Sequence, residues 1–295
     1  MRKTFGDRLL EMPDVTKYML TYLDDEDLFK VCDTDPKFTA LCNDYFWINR
    51  IRERYGLDIN DLKTVSIRSS HGEYKEYYKR LNNFVANKTP EELLGVGSNQ
   101  SRQTIVKIAL NRGANPRIHN DLALYHAVAN RNPIIQNMLL ERIPKEDWGS
   151  IHDGVMTAAI YSNNMDMIRL LIDAGMRLRP EFLEEATREN NYEIVKLLLD
   201  AGIPADSDFS AALIAAKDPA IIKLLIDRGA DHHVGNDSVF VFAVRQKNID
   251  LIQYLAKLGI NIRVLDDVIV TIRQDRYGHL QHLLPILEEA RQNAV

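Results

Sequence analysis

The histidines of "HLQH", His279 and His282 at i and i+3, are spaced to share a divalent cation from one helix face, with Asp275 a turn earlier. No third dependable ligand accompanies them, so metal chemistry is not expected and no cofactor is assigned. His232 and His233 are adjacent in a loop, where sequence neighbours should point apart, which makes them solvated surface residues. "GVG" at 95–97 is a lone Gly-x-Gly with no strand before it; it reads as a turn between helices, not a phosphate cradle. Cys32 and Cys42 read as small apolar core residues, because two thiols make neither a disulfide framework nor a four-thiolate zinc site. In "YKEYYKRL", Tyr74, Tyr77, Tyr78 and Leu81 fall at i, i+3, i+4 and i+7, a packing stripe and not a base-stacking platform. No Ser/His/Asp order or paired carboxylate has a supporting context, so an enzyme is not expected.

Composition narrows the alternatives. The chain has 295 residues, 45% hydrophobic and 27% charged, which suits a globular protein with a sizeable core. Its net charge of −5 offers nothing to a nucleic-acid backbone or an anionic membrane. No apolar run approaches the ~20 residues that span a bilayer. "MRKTFGDRLLEMPD" starts basic but has no apolar segment behind it, so no secretion signal is read. A reducing, cytoplasmic compartment and a monomer are the expectations.

The elements that must carry these residues are periodic. "LIDAGMRLRP" ends an apolar helical run at Gly175, and "LLDAGIPADS" does the same at Gly202. Glycine just past a helix takes the left-handed conformation that releases the last carbonyls, so both read as helix C-caps. Gly113, Gly229 and Gly259 close similar runs, and a degenerate copy puts Arg142 in the same place. Successive spacings are 29, 33, 27, 27 and 30. Before each glycine, apolar residues fall at i, i+1, i+4 and i+5, as at Ile194, Val195, Leu198 and Leu199, leaving Lys196 and Asp200 outside. Ahead of each lies a shorter helix with a small residue for close approach: Ala127, Ala159, Ala186 and Ala243. Asn132, Asn164, Asn191 and Asn248 then suit a left-handed turn between helices. Such units cannot bury their stripes alone and must stack.

A helix pair closed by "LLxxGA" at this period resembles the ankyrin repeat. "ANPRIHNDLALYHAVANRNPIIQ" and "ADHHVGNDSVFVFAVRQKNIDLIQYL" are similar to the ankyrin subfamily abundant in large DNA viruses, where an Asn-Asp pair opens the first helix, here Asn120-Asp121 and Asn236-Asp237 with Asp as N-cap. The family's terminal Gly-His-Leu turn is matched by Gly278-His279-Leu280. Seven units are expected over about 89–290. The Thr-Pro-Leu-His signature is missing. From Gly175 to Ala186 is 11 residues where an ordinary repeat has about 17, so the hairpin fingers should be short.

Residues 1–88 lack the period. "LLEMPDVTKYMLTYLDDEDLFKVCDTDPKFTALCNDYFWINRIRERYG" packs three short helices, with Pro13 suiting a first turn and "DDED" opening the next helix. The order Met12-Pro13, "MLTYL" (19–23), Asp27-Leu28, Val31-Cys32 and Phe46-Trp47 resembles the F-box. "EYKEYYKRL" is similar to the linker helix of viral F-box/ankyrin proteins, without its usual Trp; His71 and Gly72 occupy that region. A plain helical cap on the array is the alternative.

The resemblances imply an all-α chain: an F-box-like domain over 1–56, a linker helix over 57–88 and an ankyrin-type solenoid over 89–295. They imply a substrate receptor that docks a Skp-type adaptor of a cullin–RING ubiquitin ligase through Pro13, Leu20, Leu23, Leu28 and Cys32, left partly exposed for that purpose. The target would touch first helices and inter-repeat loops, at Arg117, His119, Arg179, Asp206, His232 and His233. An ankyrin scaffold that sequesters a partner without a ligase is the second reading, and a metal-dependent enzyme the third. If the viral resemblance holds, the compartment is the host cytoplasm.

Overall fold

The computed structural model describes residues 20, 22–34, 36–57, 60–61, 73–274 and 280–293. Met12, Pro13, His71, Gly72, Asp275, Gly278 and His279 lie outside the described residues. The fold is all-α: among the described residues there are helices and turns but no strand. The chain divides into two compact units, one taking residues 1–127 and 132–142, the other 128–131 and 143–295.

In the first unit α1 (Asp25–Thr34) is the helix expected after "DDED", while the run expected as one helix from Phe38 to Trp47 is broken into α2 (Pro36–Leu41) and α3 (Asp44–Tyr55); the helix expected from Pro13 falls largely outside the described residues. Asp24 accepts the Asp27 N–H at 2.8 Å, and Asn43 caps α3 by accepting from Phe46. Trp47 is fully buried, stacked on Phe29 at 5.5 Å and edge-on to Phe46 at 5.1 Å. Tyr78 of α4 (Glu73–Val85) reaches into the same core, its ring 5.4 Å from Trp47. Its hydroxyl donates to Asp25 at 2.6 Å; burial first, then this bond, raises its pKa. Arg54 pairs with the other Asp25 oxygen at 2.8 Å. The tyrosine stripe therefore packs, as its spacing predicts.

Cys32 and Cys42 are joined in a disulfide, their Cα atoms 5.9 Å apart. This corrects the reading of two separate apolar thiols: α2 is short enough to turn the chain back within ten residues and bring the sulfurs into reach.

Helix pairs begin with α5 (Pro90–Asn99) and α6 (Gln103–Asn111), followed by α7 (Ile118–Ala129) and α8 (Pro133–Leu140). Thr89 and Glu92 form a capping box, each side chain bonded to the other's backbone N–H. "GVG" lies inside α5, not in the turn after it. A Cβ on Gly97 would sit 2.9 Å from the Val106 backbone nitrogen, so this glycine lets α5 and α6 touch.

The second unit continues with α9 (Asp153–Tyr161), α10 (Met165–Asp173), α11 (Pro180–Arg188), α12 (Tyr192–Asp200), α13 (Ser207–Ala215) and α14 (Pro219–Asp227). It ends with α15 (Val234–Arg245), α16 (Ile249–Leu258), α17 (Ile262–Arg273) and α18 (Leu284–Asn293). First helices pack on first helices, α9 on α11, α11 on α13 and α13 on α15, while α12 packs on α14. Ala159, Ala186 and Ala243 are fully buried at these contacts, and so are Ile194, Val195 and Leu198 of α12.

Gly202 follows α12 at φ +104°, with its N–H on Leu199 and the Ile203 N–H on Leu198, the paired bonds that close a helix through a left-handed residue. A Cβ there would meet nothing within 4 Å, so substitution costs conformation only. Gly202→Val should lower stability by about 1 kcal/mol or more, measured by thermal unfolding; a wild-type melting curve would remove the cap argument.

The asparagines sit one residue later than the turn reading placed them. Asn132, Asn164, Asn191 and Asn248 are N-caps, accepting from the N–H groups of Ile135, Met167, Ile194 and Leu251 at 2.9–3.2 Å. The left-handed residue is the one before: Arg131, Asn163, Asn190 or Lys247.

Candidate functional site: finger loops and first helices

Every finger but the one after α8, where Arg142 stands, begins at a capping glycine, and three of them end in a run of left-handed residues. His119-Asn120-Asp121, Asp208-Phe209-Ser210 and Gly235-Asn236-Asp237 all have φ between 48° and 62°. The last residue of each run is buried and polar. Asp237 takes His233 Nδ1 at 2.7 Å on one oxygen and the backbone N–H of Asn261, in the next unit along, at 3.0 Å on the other. Ser210 accepts the Asp231 N–H at 3.1 Å in the same manner. Asp121 holds Arg117 through Nε at 2.7 Å and Nη2 at 3.1 Å. The Asn-Asp pairs lie where the first helices open, but Asp237 is not the N-cap it was expected to be: its carboxylate bonds His233 and the next repeat.

Arg117, Asp206 and His233 occupy one equivalent slot, four residues before the buried polar group. Arg117 and His233 are held by that group, so these two expected partner contacts are at least in part structural. The expectation that His232 and His233 point apart is corrected: their rings lie 4.1 Å apart, and His232 Nε2 is 3.2 Å from the Gly259 carbonyl. Arg179 is exposed between Asp153 at 2.7 Å and Glu181 at 2.9 Å, and its hydrogen bond lowers the Glu181 pKa. His119 and Asp206 are exposed at their loops. Arg117 and His119 belong to the first unit and the other four to the second.

Sequence reading missed the apolar part of this surface. On the first helices of the second unit Phe209 is 89% exposed, Ile214 57% and Tyr161 51%. Phe209 could have been noticed, since it fills the slot that holds Asn120 and Asn236 elsewhere. A bulky side chain at φ +52° is costly, and at a surface loop that cost contributes nothing to the core.

In the N-terminal segment Leu20, Leu28 and Cys32 are buried and Leu23 half-buried. Partial exposure of the first three is corrected: α1 turns Leu28 and Cys32 onto the segment's own core, and Leu20, ahead of α1, is covered as well. Among the described residues there, the exposed aromatics are Tyr22 and Tyr45. Among the described residues, no group of three or more His, Cys, Asp or Glu side chains is placed to hold a metal; His282 is exposed in the turn before α18. No described helix is long and apolar enough to cross a membrane.

A family model for ankyrin repeats, in three copies, matches residues 183–266, from α11 into α17. No curated protein and no solved structure matches the chain. Ankyrin repeats are protein-binding units, and the matched segment supports a role in protein–protein interaction.

Proposed function

We propose that this chain is a non-catalytic, monomeric adaptor of the cytoplasm, the host cytoplasm if its viral resemblance holds, and a substrate receptor of a cullin–RING ubiquitin ligase. In this reading residues 1–56 dock a Skp-type adaptor, 57–88 form the linker and 89–295 hold the target protein. The observation that carries the binding role is the ankyrin match over 183–266, with apolar side chains exposed on its first helices. The ligase role is supported by the order of F-box-like residues in the sequence, of which Asp27-Leu28 and Val31-Cys32 lie on α1 and Phe46-Trp47 on α3. Pro13 lies outside the described residues; of the proposed docking positions Leu23, half-buried, is the one open to a partner, with Tyr22 exposed beside it, while Leu20, Leu28 and Cys32 would support it from the segment's own core.

A scaffold that sequesters its partner without a ligase is the second reading, favoured by the burial of Leu20, Leu28 and Cys32 within their own segment. A pull-down with purified Skp-type adaptor separates the two. The ligase reading expects recovery at micromolar concentration, weakened in Leu23→Ala and in Tyr22→Asp, with circular dichroism confirming that each variant keeps its fold. Interface anchors of this kind cost about 2 kcal/mol each, near thirtyfold in affinity. No recovery with the wild-type chain supports the scaffold.

A further inference from the structure

The Cys32–Cys42 disulfide ties the last turn of α1 to the residue just past α2, and α2 buries little of its own. This helix has six residues; Phe38 and Leu41 are half-buried, while Pro36, Thr39 and Ala40 are exposed. A helix that short does not stand by itself in water, where about 12–15 residues are needed. Its bonds to the segment gather at the two cysteines. Thr39 Oγ1 donates to the Cys32 carbonyl at 2.8 Å, and the Cys42 N–H donates to the Phe38 carbonyl at 2.8 Å.

The rest of the segment is held differently. Leu28, Phe46, Trp47, Ile51 and Tyr78 are buried in a core built from α1, α3 and α4, and α2 supplies none of them. The carbonyls of Tyr55, Gly56 and Val85 accept from Asn111 and Arg112 at 3.2–3.4 Å, which joins that core to the first repeats.

We propose that Cys32–Cys42 is a reversible thiol–disulfide lock on α2. Oxidised, it holds α2 against α1; reduced, it releases α2 while α1, α3 and α4 stay folded. The use of such a lock rests on the cytoplasmic reading, because disulfides of a reducing compartment are mostly transient or sensing ones. The lock itself is a property of the chain and is tested outside any cell.

Access decides which sulfur reacts. Cys42 is half-buried and Cys32 is 1% exposed, so a thiolate of the glutathione class attacks the Cys42 sulfur. A mixed disulfide forms on Cys42, and Cys32 is expelled as a thiolate that takes a proton from water. A second thiolate attacks the small molecule's sulfur in that mixed disulfide and leaves as the oxidised dimer. Cys42 is freed as a thiolate and protonated in turn. Two electrons have passed from two thiols to the protein pair, and the reverse sequence closes the lock.

The test places the full chain in glutathione buffers of stepped ratio, traps free thiols by alkylation and counts them by mass spectrometry. Reduced glutathione should open the pair completely, and oxidised glutathione should restore it. Hydrogen exchange then locates the change. In the reduced chain the Cys42 amide should exchange about a hundredfold faster, the loop-closure entropy that a crosslink across ten residues supplies. The Ile51 and Tyr55 amides of α3 should keep their oxidised-state protection. Cys42→Ala, at the more accessible cysteine, should match the reduced chain and ignore oxidised glutathione. Loss of protection in α2 and α3 together would make the disulfide a staple of the whole segment and overturn the lock. A pair that stays oxidised in reduced glutathione, or that oxidised glutathione does not form, overturns it too, as does an α2 equally protected in both states. The ligase reading is untouched by these outcomes, since the adaptor pull-down tests it separately.

Discussion

Trp47→Ala should lower the stability of the N-terminal unit by about 3–5 kcal/mol, the usual cost of emptying a buried indole site. Trp47 is fully buried, and its loss removes the ring against which Phe29, Phe46 and Tyr78 pack. Its indole N–H also donates to the Cys42 carbonyl at 2.8 Å, an acceptor that would need a new partner. The only other tryptophan is Trp148, in the second unit, so the variant carries its own control. Urea unfolding followed by circular dichroism should show an early loss of helix, while Trp148 fluorescence keeps its wild-type midpoint, because stability in a repeat array is largely a nearest-neighbour sum. A total loss below 1 kcal/mol would mean that the aromatic cluster is not the core of this segment.

Asp237→Ala should cost about 3 kcal/mol, since it breaks a buried charged contact and orphans a backbone donor together. The residue is 1% exposed and divides its carboxylate oxygens between His233 and the Asn261 N–H. Without it the finger of one repeat loses its grip on the next. Asp237→Asn keeps an acceptor for Asn261 and should recover part of the loss. Thermal unfolding measures the total, and hydrogen exchange at the Asn261 amide locates it; an unprotected wild-type amide would contradict the bond.

What could be read from the residues follows from how local each feature is. The glycine caps, the alanine contacts and the Ile194-Val195-Leu198-Leu199 stripe each depend on a few neighbours in sequence, and all appear where spacing puts them. The asparagine turns came out one residue off. Asn suits both a left-handed position and an N-cap, and only the bond from the third helical N–H distinguishes them. The finger runs were not legible, because Asp237 and Ser210 are chosen by a backbone N–H that belongs to the following repeat. His233 was misread for the same reason: its partner is a carboxylate that looked like a helix cap. Leu20 and Leu28 illustrate a different limit. An apolar position in a helical pattern announces that something covers it, not whether the cover is its own chain or another.

Fingers that close on left-handed residues instead of paired strands have a consequence for how this surface can be used. A hairpin strand presents a row of N–H and C=O groups to which an extended peptide can be added, and by which identical molecules can zip together. Among the described residues there is no strand, so there is no such row to extend. A ligand at the fingers of the second unit is left with side chains to grip, and discrimination rests on residues such as Phe209 and Arg179, which can be exchanged one at a time without touching the backbone bonds that join one repeat to the next.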